Sequence, residues 1–206
     1  MYMSIFAPLH IISGYSLLQS GLTIDKIKSS ISSNDYYGAG LADYECMYGI
    51  PSFIKAMEEI NKPFIIGINE TVENENLTLF AINEDGYKNL IKLNSIRQKE
   101  NGLTFAQLKE NSIGVLCIIE TKYGEFFNRF SQLESVDIAF KKYLMQISSI
   151  FKSGFYLGIE VTSKDDVVYA NKVRKFANEY TYECVAFPRI KYGTLYSWHA
   201  FSISLI

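Results

Sequence analysis

Gly40-Leu41-Ala42-Asp43-Tyr44-Glu45-Cys46-Met47-Tyr48-Gly49 leads through residues 50–60 into Lys62-Pro63-Phe64-Ile65-Ile66-Gly67-Ile68-Asn69. The first and last stretches read as strands. The middle reads as a helix, opened by Pro51, since proline suits a first helical turn. The run Phe64-Ile65-Ile66-Gly67-Ile68 is apolar on both faces, as a strand buried between helices must be. A strand, a crossover helix and a second strand form the unit from which parallel sheets are built.

The pattern repeats outward from this unit. Apolar runs predict strands at residues 4–10, 37–42, 63–68, 77–82, 113–119, 155–160 and 183–187. Helices are predicted from Thr23 or Asp25 to about residue 32, and over 51–60, 84–96, 136–151 and 165–180. Tyr87, Leu90, Ile91 and Leu93 mark the buried face of the third. Phe140, Tyr143, Leu144, Ile147 and Phe151 mark that of the fourth, and Val168, Val173, Phe176 and Ala177 that of the fifth. The order predicts an α/β fold with a mainly parallel sheet, wound open or as a barrel.

The 206 residues suit one large domain, or at most two small ones. With 48% hydrophobic and 20% charged residues, the chain has enough apolar surface to fold. No apolar run approaches the roughly 18 residues of a membrane span. Cys46, Cys117 and Cys184 are odd in number and far apart, which suits reduced thiols in a cytoplasmic protein better than disulfides or a zinc site. A net charge of −2 argues against a chain that grips DNA phosphates by itself. The carboxylate pairs Glu58-Glu59 and Asp165-Asp166 read as solvated helix surface, and the 15 tyrosines as packing residues.

Three segments carry a resemblance. Leu9-His10-Ile11-Ile12-Ser13-Gly14-Tyr15-Ser16-Leu17-Leu18 is similar to His-x-His-Ser-x-Tyr-Ser-Leu-Leu, the opening motif of PHP (polymerase and histidinol phosphatase) domains in bacterial DNA polymerase III alpha subunits. The segment from Gly40 to Gly49 resembles their Leu-Thr-Asp-His-Gly-x-Met-x-Gly motif, and Lys62 to Asn69 their Lys-Pro-Ile-Ile-Gly-x-Glu. Ala81-Ile82-Asn83-Glu84-Asp85-Gly86-Tyr87-Lys88-Asn89-Leu90-Ile91-Lys92-Leu93-Asn94-Ser95 resembles a signature of the alpha subunits alone.

The resemblance implies a distorted seven-stranded (β/α) barrel of the PHP type. Residues 1–206 would be a single PHP domain, an N-terminal fragment of a larger polymerase chain, truncated at its C-terminal side. It implies a role in DNA replication, with the remaining polymerase domains and a proofreading exonuclease as partners, and with DNA reached only through the parent. Magnesium would serve the parent's nucleotidyl transfer. No cofactor is implied for this domain.

A PHP site gathers His, Asp, Glu and Cys around metals that activate water against a phosphate ester. Carried over by position, the chain keeps His10 and Asp43. Ile12 and Tyr44 stand where histidines are expected, and Asn69 where a glutamate is. Arg189 and Lys191 stand at an aspartate and a histidine. No ligand is placed near residues 117–121. These positions are expected to be vestigial, with neither metal nor catalytic residue. Asp43 is expected to pair with Arg189, Lys191 or His10, and His199 to pack. Two other functions stand beside the structural one: a free-standing metal-dependent phosphoesterase, and a module holding a nucleotide or anion against Arg189 and Lys191.

Overall fold

The computed structural model describes residues 6–133 and 138–191. Within them lie seven helices and one sheet of six strands: α1 (Ile24–Ser33), β1 (Ala39–Tyr44), α2 (Ile50–Glu59), β2 (Phe64–Val72), β3 (Glu75–Ala81), α3 (Glu84–Glu100), α4 (Phe105–Glu110), β4 (Val115–Glu120), α5 (Gly124–Gln132), α6 (Ile138–Ser148), β5 (Phe155–Ile159), α7 (Asp166–Tyr180) and β6 (Glu183–Ala186). The tail at residues 201–206 and His199 lie outside the described residues.

The strands lie side by side in chain order. Pairings β1–β2, β4–β5 and β5–β6 are parallel, whereas β2–β3 and β3–β4 are antiparallel. The sheet is therefore mixed. The reversal is made by Glu73 and Asn74, both at positive φ (47° and 72°), the pair of left-handed residues a two-residue hairpin requires. β2 consequently runs four residues past the predicted end at residue 68.

The predicted strand at residues 4–10 is not a ladder where it is described. Instead Ile11 bridges Leu41 on one side and Ile190 on the other, both in parallel. Ile11 N donates to Gly40 O at 3.2 Å, and Ile12 N to Ile190 O at 3.0 Å. The extended segment at His10–Ile12 thus lies between β1 and the chain just after β6.

Helix ends follow local chemistry. Thr23 caps α1 by accepting from Lys26 N, and Asn83 caps α3 by accepting from Gly86 N at 2.9 Å. Gly86 is required there, because a Cβ would sit 1.9 Å from Gly114 O. On α3, Leu90 and Leu93 are buried but Ile91 is exposed; on α7, Val168 is exposed and Ala170 takes its place in the core.

Two apolar cores line the helix-facing side of the sheet. One joins β2–β5 to α3 and α5–α7, and the other joins Ile11 and β1 to α1 and α2. A third, of Ala42, Phe80, Ile118 and Phe187, lies on the opposite face of the strands. Cys46 and Cys117 are buried, whereas Cys184 is exposed.

Candidate functional site

Side chains alternate along a strand, so the residue two places from a member of the third core shares its face. Ala42 leads to Tyr44, Phe80 back to Thr78, Ile118 to Glu120 and Phe187 to Arg189. Asn69 lies beside Tyr44 in the β1–β2 register and opposite Thr78 in β2–β3. The sheet therefore delivers a polar layer directly above its inner core, at the C-terminal ends of the parallel strands.

His10 enters the layer with its ring stacked on Phe187, centroids 4.4 Å apart. Its Nε2 lies 3.2 Å from the Asn69 amide nitrogen and 3.9 Å from Glu120 Oε1. The same Asn69 nitrogen reaches Thr78 Oγ1 at 3.2 Å and contacts Glu120 Oε1. Thr78 donates to Glu120 Oε1 at 3.0 Å. Arg189 brings both Nε and Nη2 to 2.6 Å from Glu120 Oε2, with its guanidinium 3.4 Å from the centre of the Tyr123 ring. Tyr44 is the more distant ring, at 5.6 Å.

Burial holds His10 down to about 4, against the pull of Glu120, so it is neutral at physiological pH. Burial alone would raise Glu120. The opposing charges of His10, when protonated, and Arg189, with hydrogen bonds from Arg189 and Thr78, hold it below the usual carboxylate range. Tyr44 is pushed up to about 12 by burial.

Asp43 is not in this layer. It shares its face with Leu41, and its carboxylate accepts from Ser13 N at 2.6 Å, Ser13 Oγ at 2.7 Å and Ser16 Oγ at 2.8 Å. The expected pairing with Arg189, Lys191 or His10 is replaced by a clamp on the loop after Ile12. Ile12 is fully buried. Lys191 sits at the rim, with Nζ 5.0 Å from the Tyr44 ring centre and 3.3 Å from Gln19 Oε1. Asp166, expected as solvated surface, instead fastens the loop after β5. It accepts from Lys122 Nζ, Thr162 N and Thr162 Oγ1, all at 2.8 Å.

Sequence reasoning missed Thr78, Tyr123, Glu120 and the buried Glu160, which is hydrogen-bonded to Tyr123. Glu120 and Glu160 each close an apolar run, Val115–Ile119 and Phe155–Ile159, and a carboxylate ending a buried parallel strand is the signal that could have found them.

These residues do not fit a metal cluster. Among the described residues no group of three or more His, Cys, Asp or Glu side chains is arranged to hold an ion. The donors that do converge, His10 Nε2 and Glu120, face an amide nitrogen and a guanidinium.

A chain described as a candidate metal-dependent phosphoesterase from Bifidobacterium adolescentis shares this fold, with TM-score 0.60, 8% identity and coverage of 92% of this chain and 89% of that one. An amidohydrolase from Chromobacterium violaceum, with bound sulfate and no metal, does so with TM-score 0.56, 10% identity and coverage of 90% and 87%. In sequence, the chain is 30% identical over 210 residues to the DNA polymerase III subunit alpha of Bacillus subtilis, covering 87% of this chain and 18% of that protein. It is 31% identical over 163 residues to that of Rickettsia bellii, covering 71% and 13%. The chain thus spans less than a fifth of the length of these relatives. The PHP domain profile matches residues 8–162, the stretch that carries His10, Asn69, Thr78 and Glu120. The chain belongs to the PHP domain family.

Proposed function

We propose that this chain is the PHP domain of a replicative DNA polymerase, the DNA polymerase III alpha subunit, and serves it as a structural element rather than as a phosphoesterase. The observation that carries this reading is the match over 87% of the chain to a polymerase subunit. In this reading residues 1–206 are one N-terminal piece of a cytoplasmic polymerase that uses magnesium for nucleotidyl transfer. The remaining domains of that polymerase are the domain's first partners, and a proofreading exonuclease is a second. DNA is met only through the parent.

The fold is read as a distorted barrel of the PHP type. The segment at His10–Ile12 acts as the seventh strand, an assignment supported by its hydrogen bonds to both β1 and Ile190. A structural role is supported by the composition of the polar layer. Ester hydrolysis at a metal centre needs anionic and imidazole ligands with one position left open for water. Here Ile12 and Tyr44 offer no imidazole, Asn69 is neutral, and Arg189 adds positive charge. A second cation beside that guanidinium would meet repulsion of about 4 kcal/mol per unit-charge pair at ~4 Å in a dielectric near 20.

The test is to read the gene past codon 206 and assay the whole product in primer extension. A frame continuing into a polymerase that loses processive synthesis when this domain is deleted is the expected result. A stop codon there would sink the polymerase reading. A free-standing phosphoesterase is the second reading, favoured by the match to 89% of one such candidate chain. Turnover of a phosphate monoester or diester with added manganese or zinc, lost on His10→Ala, would establish it.

A further inference from the structure

We infer that the cation position of this site is held by the protein's own nitrogen atoms, which stand where a metal would. The inference rests on the reading of the site as structural and deepens it by naming the atoms that took over.

The Asn69 amide nitrogen is the centre. Three acceptors share its two hydrogens: His10 Nε2 at 3.2 Å, Thr78 Oγ1 at 3.2 Å, and Glu120 Oε1. They arrive from the segment before β1, from β3 and from β4. An imidazole, a hydroxyl and a carboxylate converging on one point suit either a cation or a hydrogen donor, and here the point is filled by an NH2 group. Glu120 dictates the amide's orientation, because turning it over would set Oδ1 against a carboxylate oxygen. His10 Nε2 is then an acceptor, so the ring proton sits on Nδ1, a buried atom without a hydrogen-bond partner among the described residues.

The other Glu120 oxygen is taken by Arg189, whose Nε and Nη2 are both 2.6 Å away. The carboxylate's charge is therefore balanced inside the protein by a group that cannot lose its proton. An arriving divalent ion would have to displace Asn69, take Glu120 from Arg189, and remain beside the freed guanidinium.

Two measurements test this on the full 206-residue chain. Long-range 1H–15N correlation spectra are tractable because the chain has only two histidines, His10 and His199. The expected result is that His10 stays in the Nδ1–H form from pH 5.5 to 8 and that its Nε2 signal does not move with equimolar zinc. An Nε2–H tautomer, or a zinc-induced shift of that signal, would overturn the inference. The second measurement is thermal unfolding with and without zinc. Asn69→Asp replaces the blocking donor by a ligand. At a hundredfold excess over Kd its Tm is expected to rise by roughly 5–10 °C, while the wild type does not respond. An equal rise in the wild type, or a folded variant that ignores zinc, counts against the inference. If the variant fails to fold, the wild-type spectra decide alone. Neither measurement reads DNA synthesis, so a gene that ends at codon 206 would remove the polymerase reading and leave this one standing.

Discussion

Arg189 and Glu120 meet 2.6 Å apart above the inner core, joining the chain after β6 to the end of β4. Glu120 is 4% exposed and the Arg189 side chain 13%, so neither charge has water as a substitute partner. Arg189→Met keeps the length and removes the charge, leaving a buried carboxylate unpaired. It is expected to cost about 3–5 kcal/mol. Combining it with Glu120→Leu should recover much of that loss, since an apolar pair replaces a buried ion pair at little net cost. Denaturant melts of the four proteins check this. Simple addition of the two single effects would show that the residues do not interact.

His10 predicts the acid limit of the domain. Its folded value of about 4 lies below the ordinary 6.5, so the unfolded chain binds the extra proton first. Stability is full above pH 6.5 and falls as pH drops from there toward 4, by about 3 kcal/mol in all. His10→Gln, which cannot charge, should flatten the slope between pH 6.5 and 4. The check is unfolding free energy measured across that window in both proteins.

Glu70 predicts the opposite limb. It is fully buried beside Arg97, whose Nε lies 3.4 Å from its carboxylate, and burial raises it to about 8 against an ordinary 4.5. The folded state therefore holds this proton longer than the unfolded chain. The contribution is full below pH 4.5 and is lost as pH rises through about 8. Glu70→Gln should remove that loss and make the domain more stable than wild type at pH 8.5, by about 1–3 kcal/mol. Equal melting curves for the two proteins at pH 8.5 would contradict this.

Asp43 predicts a local effect. Three donors converge on its carboxylate from Ser13 and Ser16. The loop they fix carries Leu17 and Leu18, 82% and 104% exposed, with Leu18 at φ 62°. Asp43→Asn turns an NH2 group toward at least one of these donors. A loss of about 1–3 kcal/mol is expected, with faster proteolysis confined to residues 13–20. Limited digestion followed by mass spectrometry locates the cut, and protection equal to wild type would argue against the clamp.

Strand and helix order was legible because apolar runs and caps are local signals. Which side of a strand a residue occupies was not read, and the errors follow from that. Asp43 and Tyr44 are neighbours, yet only Tyr44 has the parity of Ala42 and enters the polar layer. Parity along the sequence could not decide between them, because β1 is buried on both faces and Leu41 leads to Asp43 just as Ala42 leads to Tyr44. The β2–β3 hairpin was hidden because Glu73-Asn74 lacks the usual glycine, and α5 because its cap is not local. Glu75 of β3 supplies it, accepting from Phe126 N at 2.8 Å and from the Tyr143 hydroxyl. No window of sequence around residue 124 contains that partner.

The bond from Ser20 Oγ to Lys191 O spans 171 residues, and the bridges of Ile11 to Leu41 and Ile190 lie beside it. During synthesis the segment holding His10 leaves the ribosome before the six strands of the sheet, yet its second neighbour is among the last described residues to emerge. Until then the segment at His10–Ile12 is covered only on its β1 side and the polar layer lacks Arg189. Contacts this distant are made late and slowly, because their loop entropy is spent before they return anything. The nascent chain thus carries an exposed strand edge, and from the emergence of β4 a carboxylate without its partner, until residues 189–191 follow. That interval, more than the finished fold, is when this domain is open to mispairing with other chains.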